Sequence, residues 1–149
     1  MSHIKDVVIS QEDGYGKRLF IRVDGEPVSK GRPRMTRDGR RAYTPAKTHR
    51  AEQVIFKAYE QKYGHFQFPK GIPLELRAVF HLQIPKSRLD LSEGDYCTKH
   101  IDTDNLLKLV SDALNEAAYQ DDSQIVKIVA EKRWSKDPHT DIEVIDISE

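Results

Sequence analysis

Two spacings of hydrophobic positions run through this chain of 149 residues, one of two residues and one of about 3.6 residues. The first spacing, with its β-branched and aromatic residues, predicts strands over residues 17–23, 73–84, 125–134 and 141–147. A further strand over residues 5–10 is predicted to pair with the first through a turn at residues 11–16. Turns are also predicted at Asp24-Gly25 and Asp137-Pro138, where residues that favour tight turns interrupt the pattern.

The second spacing predicts two helices. The first begins with Thr44 as N-cap and Pro45 at the first helical position, and Gly64 can end it. The second runs from about residue 103 to residue 118, with apolar residues Leu106, Val110, Ala113, Leu114 and Ala117 on one face. The order β-β-α-β-α-β-β predicts a small single-domain α/β protein that occupies residues 1–149, with a mixed sheet and two main helices.

Residues 27–45 follow neither spacing, and their glycines and prolines predict a long exposed loop with a hairpin at Asp38-Gly39. Between residues 28 and 50 this segment carries eight basic residues and a single acid, Asp38. The whole chain has a formal net charge of zero, but residues 1–62 hold 14 Lys and Arg against 8 Asp and Glu, and residues 63–149 hold 10 against 16. Such a basic segment either binds the phosphates of a nucleic acid or is an ordinary solvent-exposed surface of the protein.

The remaining composition restricts the class of protein. Hydrophobic residues make up 38% of the chain and charged residues 32%, and no apolar run approaches the roughly 20 residues that a membrane span needs. The N-terminal stretch lacks the apolar core of a signal peptide, so a cytoplasmic protein without membrane partners is expected. A single cysteine, Cys97, excludes an internal disulfide. The histidines form no ligand pair at helical spacing, and His49, His81 and His139 are expected to be structural.

Carboxylates gather around the second helix. Asp102 and Asp104 stand two residues apart where that helix begins, and Asp121 and Asp122 follow its end. Asp104, Lys108 and Asp112 recur every four residues and therefore share one helix face. Carboxylate oxygens are the ligands that Mg²⁺ prefers. The spacing also fits a plainer interpretation, with Asp102 or Thr103 as N-cap, a surface ion-pair ladder, and Asp121-Asp122 as turn residues.

The full string from Asp102 to Asn115, followed by Asp121-Asp-Ser-Gln-Ile-Val, resembles the signature of the RusA family of Holliday-junction resolvases. The stretch from Gly25 to Thr36 resembles the opening of the phage and Gram-positive branch of that family. Together the resemblances span residues 20 to 144. They imply a RusA-like fold and a small endonuclease that acts in DNA recombination and repair.

Carried over residue by residue, the resemblance implies that Asp102, Asp104 and Asp122 are the essential metal ligands and that Lys108 is the catalytic lysine. It also implies Mg²⁺ dependence, a homodimer, and symmetric paired nicks across a four-way junction. The interval from Asp104 to the acidic pair is one residue shorter than in the best-known branch. The alternative ligand Asp121 therefore stays open, although Asp122 is favoured.

The basic segment supplies the expected DNA contacts, which are Lys30, Arg32, Arg34, Arg37, Arg40 and Arg41. The leading hypothesis is a Mg²⁺-dependent, structure-selective endodeoxyribonuclease. The alternative is a non-catalytic nucleic-acid-binding module that uses only residues 28–50.

Overall fold

A computed structural model describes residues 17–31, 34–43 and 45–148. Its elements are β1 (Arg18–Asp24), β2 (Arg34–Met35), β3 (Ala42–Tyr43), α1 (Ala46–Tyr63), β4 (Leu74–Gln83), α2 (Thr103–Leu114), β5 (Ile125–Ser135) and β6 (His139–Asp146). A 3₁₀ turn, Asp122–Gln124, precedes β5. The strand predicted over residues 5–10, its turn at residues 11–16 and the N-cap Thr44 lie outside the described residues.

Four of the strands form one mixed sheet in the order β1-β6-β4-β5. The β4 and β5 strands are parallel, which requires a crossover, and α2 lies in that crossover. The β1–β6 and β6–β4 pairs are antiparallel. This arrangement confirms the predicted mixed α/β class with two helices. The short β2 and β3 strands form a separate antiparallel ribbon, as the hairpin prediction at Asp38-Gly39 requires.

The core lies between one face of this sheet and the two helices. Alternate residues of β4, from Leu74 to Leu82, are buried, together with the apolar face of α2. Five side chains of α2 are buried: Leu106, Leu109, Val110, Ala113 and Leu114. Each large apolar side chain buried in this way contributes about 1.5–3 kcal/mol. The packing therefore fixes which face of α2 is left to meet solvent.

The predicted end of the second helix was wrong by four residues, because α2 ends at Leu114 rather than near residue 118. Asn115 is extended, and Glu116 takes a left-handed conformation with φ of 70°. Tyr119 is fully buried, and its hydroxyl donates to the Ser111 carbonyl oxygen at 2.7 Å. This tertiary contact folds the chain back under the helix. The first helix starts at Ala46, one residue after the predicted Pro45.

None of the helices within the described ranges is long and apolar enough to cross a membrane.

Candidate active site

The N-terminus of α2 presents two exposed carboxylates. Asp102 is the residue that precedes the helix, in an extended conformation, and Asp104 lies in the first turn. The Asn105 side-chain amide donates to Asp102 at 3.4 Å, and the Asn105 backbone N–H lies 3.1 Å from a carboxylate oxygen of Asp104. The partial positive charge at a helix N-terminus favours carboxylates at these positions. Both side chains remain accessible to a ligand in solvent.

An open pocket of about 230 Å³ lies beside α2. Its polar lining includes Asp104, Lys108, Asp112 and Asp122, and its apolar wall includes Leu76 and Ile128. The predicted helix face of Asp104, Lys108 and Asp112 thus lines one side, and Asp122 approaches from the 3₁₀ turn before β5. Asp102 does not line the pocket and lies two residues before Asp104, at the helix entrance.

The two consecutive acids after the helix have different environments. Asp121 caps the 3₁₀ turn: its carboxylate accepts a hydrogen bond from the Ser123 hydroxyl, and its N–H donates to the Gln124 side chain at 3.2 Å. Asp122 lines the pocket instead. The backbone of the turn therefore directs the second acid, rather than the first, toward Asp104 and Lys108.

Lys30 is tied to the same helix face. Its ammonium lies 2.6 Å from Glu52 on α1 and 3.1 Å from Asp112, and Asp112 also lies 4.0 Å from the ammonium of Lys108. Burial opposes the charge of Lys30, but hydrogen bonds to Glu52 and Asp112 outweigh it and raise the pKa of the lysine. Asp112 therefore joins the start of the basic segment to Lys108.

The donor set in the pocket fits a hard divalent cation. Of the basic side chains that the structure describes, none lies within 4.0 Å of the carboxylates of Asp102, Asp104 or Asp122. Carboxylates without a cationic partner can accept a metal ion instead. Mg²⁺ needs only one or two carboxylates besides water and substrate oxygens. Among the described residues, Asp102, Asp104 and Asp122 do not form a group whose ligand atoms all lie within 4.8 Å of one another.

The basic segment is anchored close to this pocket. The Lys30 N–H donates to the Asn105 carbonyl at 3.0 Å, and the Gly31 N–H donates to the Thr48 hydroxyl at 3.0 Å. A Cβ at Gly31 would lie 2.7 Å from that hydroxyl oxygen, so the close approach requires glycine. A cleft of about 550 Å³ follows the segment, and its lining includes Lys47 and Ile101, the neighbour of Asp102.

Beyond the anchor, the segment forms the β2–β3 ribbon. Its turn is closed by the Gly39 N–H, which donates to the Thr36 carbonyl at 2.8 Å, and by Asp38, which accepts from the Thr36 hydroxyl at 2.6 Å. The hydrogen bond from the Thr36 hydroxyl, followed by the one from the Arg40 N–H, lowers the pKa of Asp38. Three predicted DNA contacts, Arg37, Arg40 and Arg41, are exposed here. Arg34 begins β2, and Arg32 lies outside the described residues.

Lys30 is one of a run of basic residues in the sequence, and nothing local indicates its pairing with Glu52 and Asp112. His81 and His139, which were expected to be structural, stack with ring centroids 3.9 Å apart. Helical spacing does not relate histidines that lie on neighbouring strands. The signal that would find them is strand register.

Two comparisons place this chain among known proteins. The family model described as endodeoxyribonuclease RusA matches residues 24–145. An uncharacterised protein of Bacillus subtilis strain 168, YqaN, is 32% identical over 139 residues, which covers 85% of this chain and 94% of the relative. The family match includes both the basic segment and the acidic pocket.

Proposed function

This chain belongs to the RusA family of Holliday-junction-resolving endodeoxyribonucleases, and we propose that it cuts four-way DNA junctions by Mg²⁺-dependent, paired symmetric nicks. The observation that carries this proposal is the pocket on α2. Acids separated by 18 positions in the chain, Asp104 and Asp122, line it together with Lys108. Hydrolysis of a phosphodiester needs carboxylates that hold a metal ion and positive charge that stabilises the phosphoryl group.

The proposed metal ligands are Asp102, Asp104 and Asp122. When bound, Mg²⁺ supplies positive charge that stabilises the charge developing on the phosphoryl group. Asp122 is preferred to Asp121 because the carboxylate of Asp121 is engaged in the cap of the 3₁₀ turn. Asp102 completes the set from the entrance of the helix, where its side chain is exposed.

Lys108 is the proposed catalytic lysine. Its side chain is 63% exposed at the pocket, so its ammonium can reach a phosphate oxygen of the scissile bond. Asp112, four residues later on the same face, holds that ammonium toward the pocket. Lys108 would thus orient and electrostatically stabilise the phosphate, with Asp112 as a positioning residue.

The junction arms are proposed to contact the basic segment at Arg32, Arg34, Arg37, Arg40 and Arg41. Exposure of Arg37, Arg40 and Arg41 on the ribbon supports this assignment. Lys30 differs, because a phosphate would have to compete with Glu52 and Asp112 for its ammonium. The cleft between Lys47 and Ile101 offers a path from the ribbon to the helix entrance.

A homodimer is proposed because nicks in two strands require two active sites. The apolar face of Leu74–Leu82 is buried in the core and is not available for this contact. The edge strand β5 offers a better contact, since Val126 and Ile128 are 62% and 54% exposed. Ile128 also lines the pocket, so a second copy packed there would border the active site.

The decisive experiment compares a synthetic four-way junction, a fork and a linear duplex with and without Mg²⁺. We expect paired symmetric nicks in the junction alone, and only with Mg²⁺. Asp104→Asn should reduce cleavage by at least about 100-fold while junction binding persists, because one metal ligand contributes several kcal/mol to the transition state. Asp90→Asn is the matched control, since this exposed acid pairs with Arg88 outside the pocket.

Unchanged cleavage by Asp104→Asn would overturn the metal site. Junction binding without any cleavage by the unmodified chain would support the alternative, a non-catalytic binding module.

A further inference from the structure

The sheet carries a second cluster of metal-ligating side chains on the face opposite the helices. His81 on β4 is directly paired with His139 on β6, and Asp141 follows two residues later. Strand side chains alternate between faces, so these three residues point away from the buried Phe80 and Ile142. Along β4, His81 is five residues from Leu76 of the acidic pocket, or roughly 16 Å.

The side chains converge on one point. The two imidazole rings stack with centroids 3.9 Å apart and an interplanar angle of 11°. The Nε2 atom of each ring lies 3.3 Å from the same carboxylate oxygen of Asp141. The three potential ligand atoms all lie within 4.8 Å of one another.

The hydrogen bond between Nδ1 of His139 and the Asp137 carbonyl oxygen determines which ring nitrogen of His139 carries a hydrogen. Its Nδ1 lies 2.6 Å from the Asp137 carbonyl oxygen, which can only accept, so Nδ1 carries a hydrogen. The Nε2 atom is then the ring nitrogen of His139 that faces Asp141, at 3.3 Å. Either a proton on Nε2 or a cation shared by Nε2 and the carboxylate can hold the two atoms at this distance.

His81 faces the same carboxylate from the neighbouring strand. Both of its ring nitrogens are buried, and neither finds a hydrogen-bond partner of good geometry among the described residues. An imidazole binds a metal through the lone pair of a ring nitrogen, and Nε2 of His81 faces Asp141 as Nε2 of His139 does.

We propose that His81, His139 and Asp141 bind a divalent transition-metal ion such as Zn²⁺ through the two Nε2 atoms and the carboxylate. Two imidazoles and a carboxylate suit Zn²⁺ and its neighbours, whereas Mg²⁺ prefers oxygen ligands alone. A metal lies in the plane of each imidazole that binds it, so the stacked rings tilt apart on binding. The ion links β4 to β6 and is distinct from the proposed nuclease metal.

The test uses the full chain, freed of metal with a chelator and titrated with Zn²⁺ in a calorimeter. We expect one high-affinity site, and a thermal midpoint that rises as Zn²⁺ is added. His81→Gln and Asp141→Asn should each weaken Zn²⁺ affinity by at least about 100-fold, since each removes a direct ligand, whereas second-sphere changes already cost about 10–100-fold. His49→Gln, which replaces an exposed histidine elsewhere, is the control.

Excess Mg²⁺ should not displace the Zn²⁺, and Asp104→Asn should bind Zn²⁺ as the unmodified chain does. Circular dichroism checks that each variant is folded, and Co²⁺ gives a separate readout through its visible ligand-field bands. Absence of binding to the unmodified chain would overturn the proposal. Binding that survives both His81→Gln and Asp141→Asn, or that is lost in Asp104→Asn, would also overturn it.

Discussion

Alanine substitutions of Asp121 and Asp122, made separately, should have different effects: the first should lower stability and the second should lower the rate of cleavage. Asp121→Ala removes the acceptor of the Ser123 hydroxyl and the cap of the 3₁₀ turn. Loss of such a cap costs about 1 kcal/mol, which in a protein of this size lowers the thermal midpoint by roughly 2–4 °C. Cleavage of the junction with saturating Mg²⁺ should persist.

Asp122→Ala should have the opposite effect. Its carboxylate lines the pocket and pairs with none of the basic side chains that the structure describes, so its removal breaks no ion pair and should not lower stability. Cleavage should fall by at least about 100-fold, as expected for loss of a metal ligand. Thermal unfolding and single-turnover cleavage, measured on the same preparations, give the two quantities. If Asp121→Ala abolishes cleavage while remaining folded and Asp122→Ala does not, the assignment is refuted.

Three other predictions concern charged and ionisable groups. Lys30→Met should lower the free energy of unfolding, measured in urea, by about 1–2 kcal/mol, because it leaves two partly buried carboxylates without this ammonium. The salt dependence of junction binding should stay unchanged. A slope of log affinity against log salt concentration that is lower by about one unit would instead support a phosphate contact. Alanine at both Arg40 and Arg41 should flatten that slope by about two units, whereas Arg88→Ala, at an arginine paired with Asp90, should not. Burial raises the pKa of Tyr63 to about 12. The stability that this shift contributes is therefore complete below pH about 10 and is lost as the pH rises through about 12. The stability of Tyr63→Phe should fall less steeply with alkaline pH, and an identical dependence of stability on pH would contradict the shift.

The parts of the fold that the sequence predicts well are those with uninterrupted periodicity. Every second residue of β4 from Leu74 to Leu82 is apolar, and the structure begins and ends that strand within one residue of the prediction. The end of α2 was misplaced because its termination depends on Tyr119, a residue whose apolar character also suits a continuing helix. Burial of that side chain against Ser111 is a tertiary effect and leaves no local pattern.

In the candidate site, too, local sequence patterns predict some features, and others depend on tertiary contacts. The helical repeat of Asp104, Lys108 and Asp112 places them on one face whatever the rest of the fold. The orientation of Asp122 depends on the 3₁₀ turn. Because Asp121 and Asp122 are adjacent and of the same type, the sequence alone does not show which of them faces the pocket. Lys30 and Glu52 are brought together by packing of the loop on α1 and α2, while His81 and His139 meet through register across 58 positions of chain. Neither pairing has a local signature.

Because Asp122 reaches the pocket from the 3₁₀ turn that leads into β5, the pocket is complete only while that edge strand is docked on β4. Edge elements with few neighbours open more readily than the centre of a sheet, so local opening would separate Asp122 from Asp104 without global unfolding. Amide hydrogen exchange at the beginning of β5 would then report the fraction of molecules with an assembled pocket. In the proposed homodimer, a second subunit packed on the exposed Val126 and Ile128 would raise that fraction, so that assembly of the pocket would depend on protein concentration.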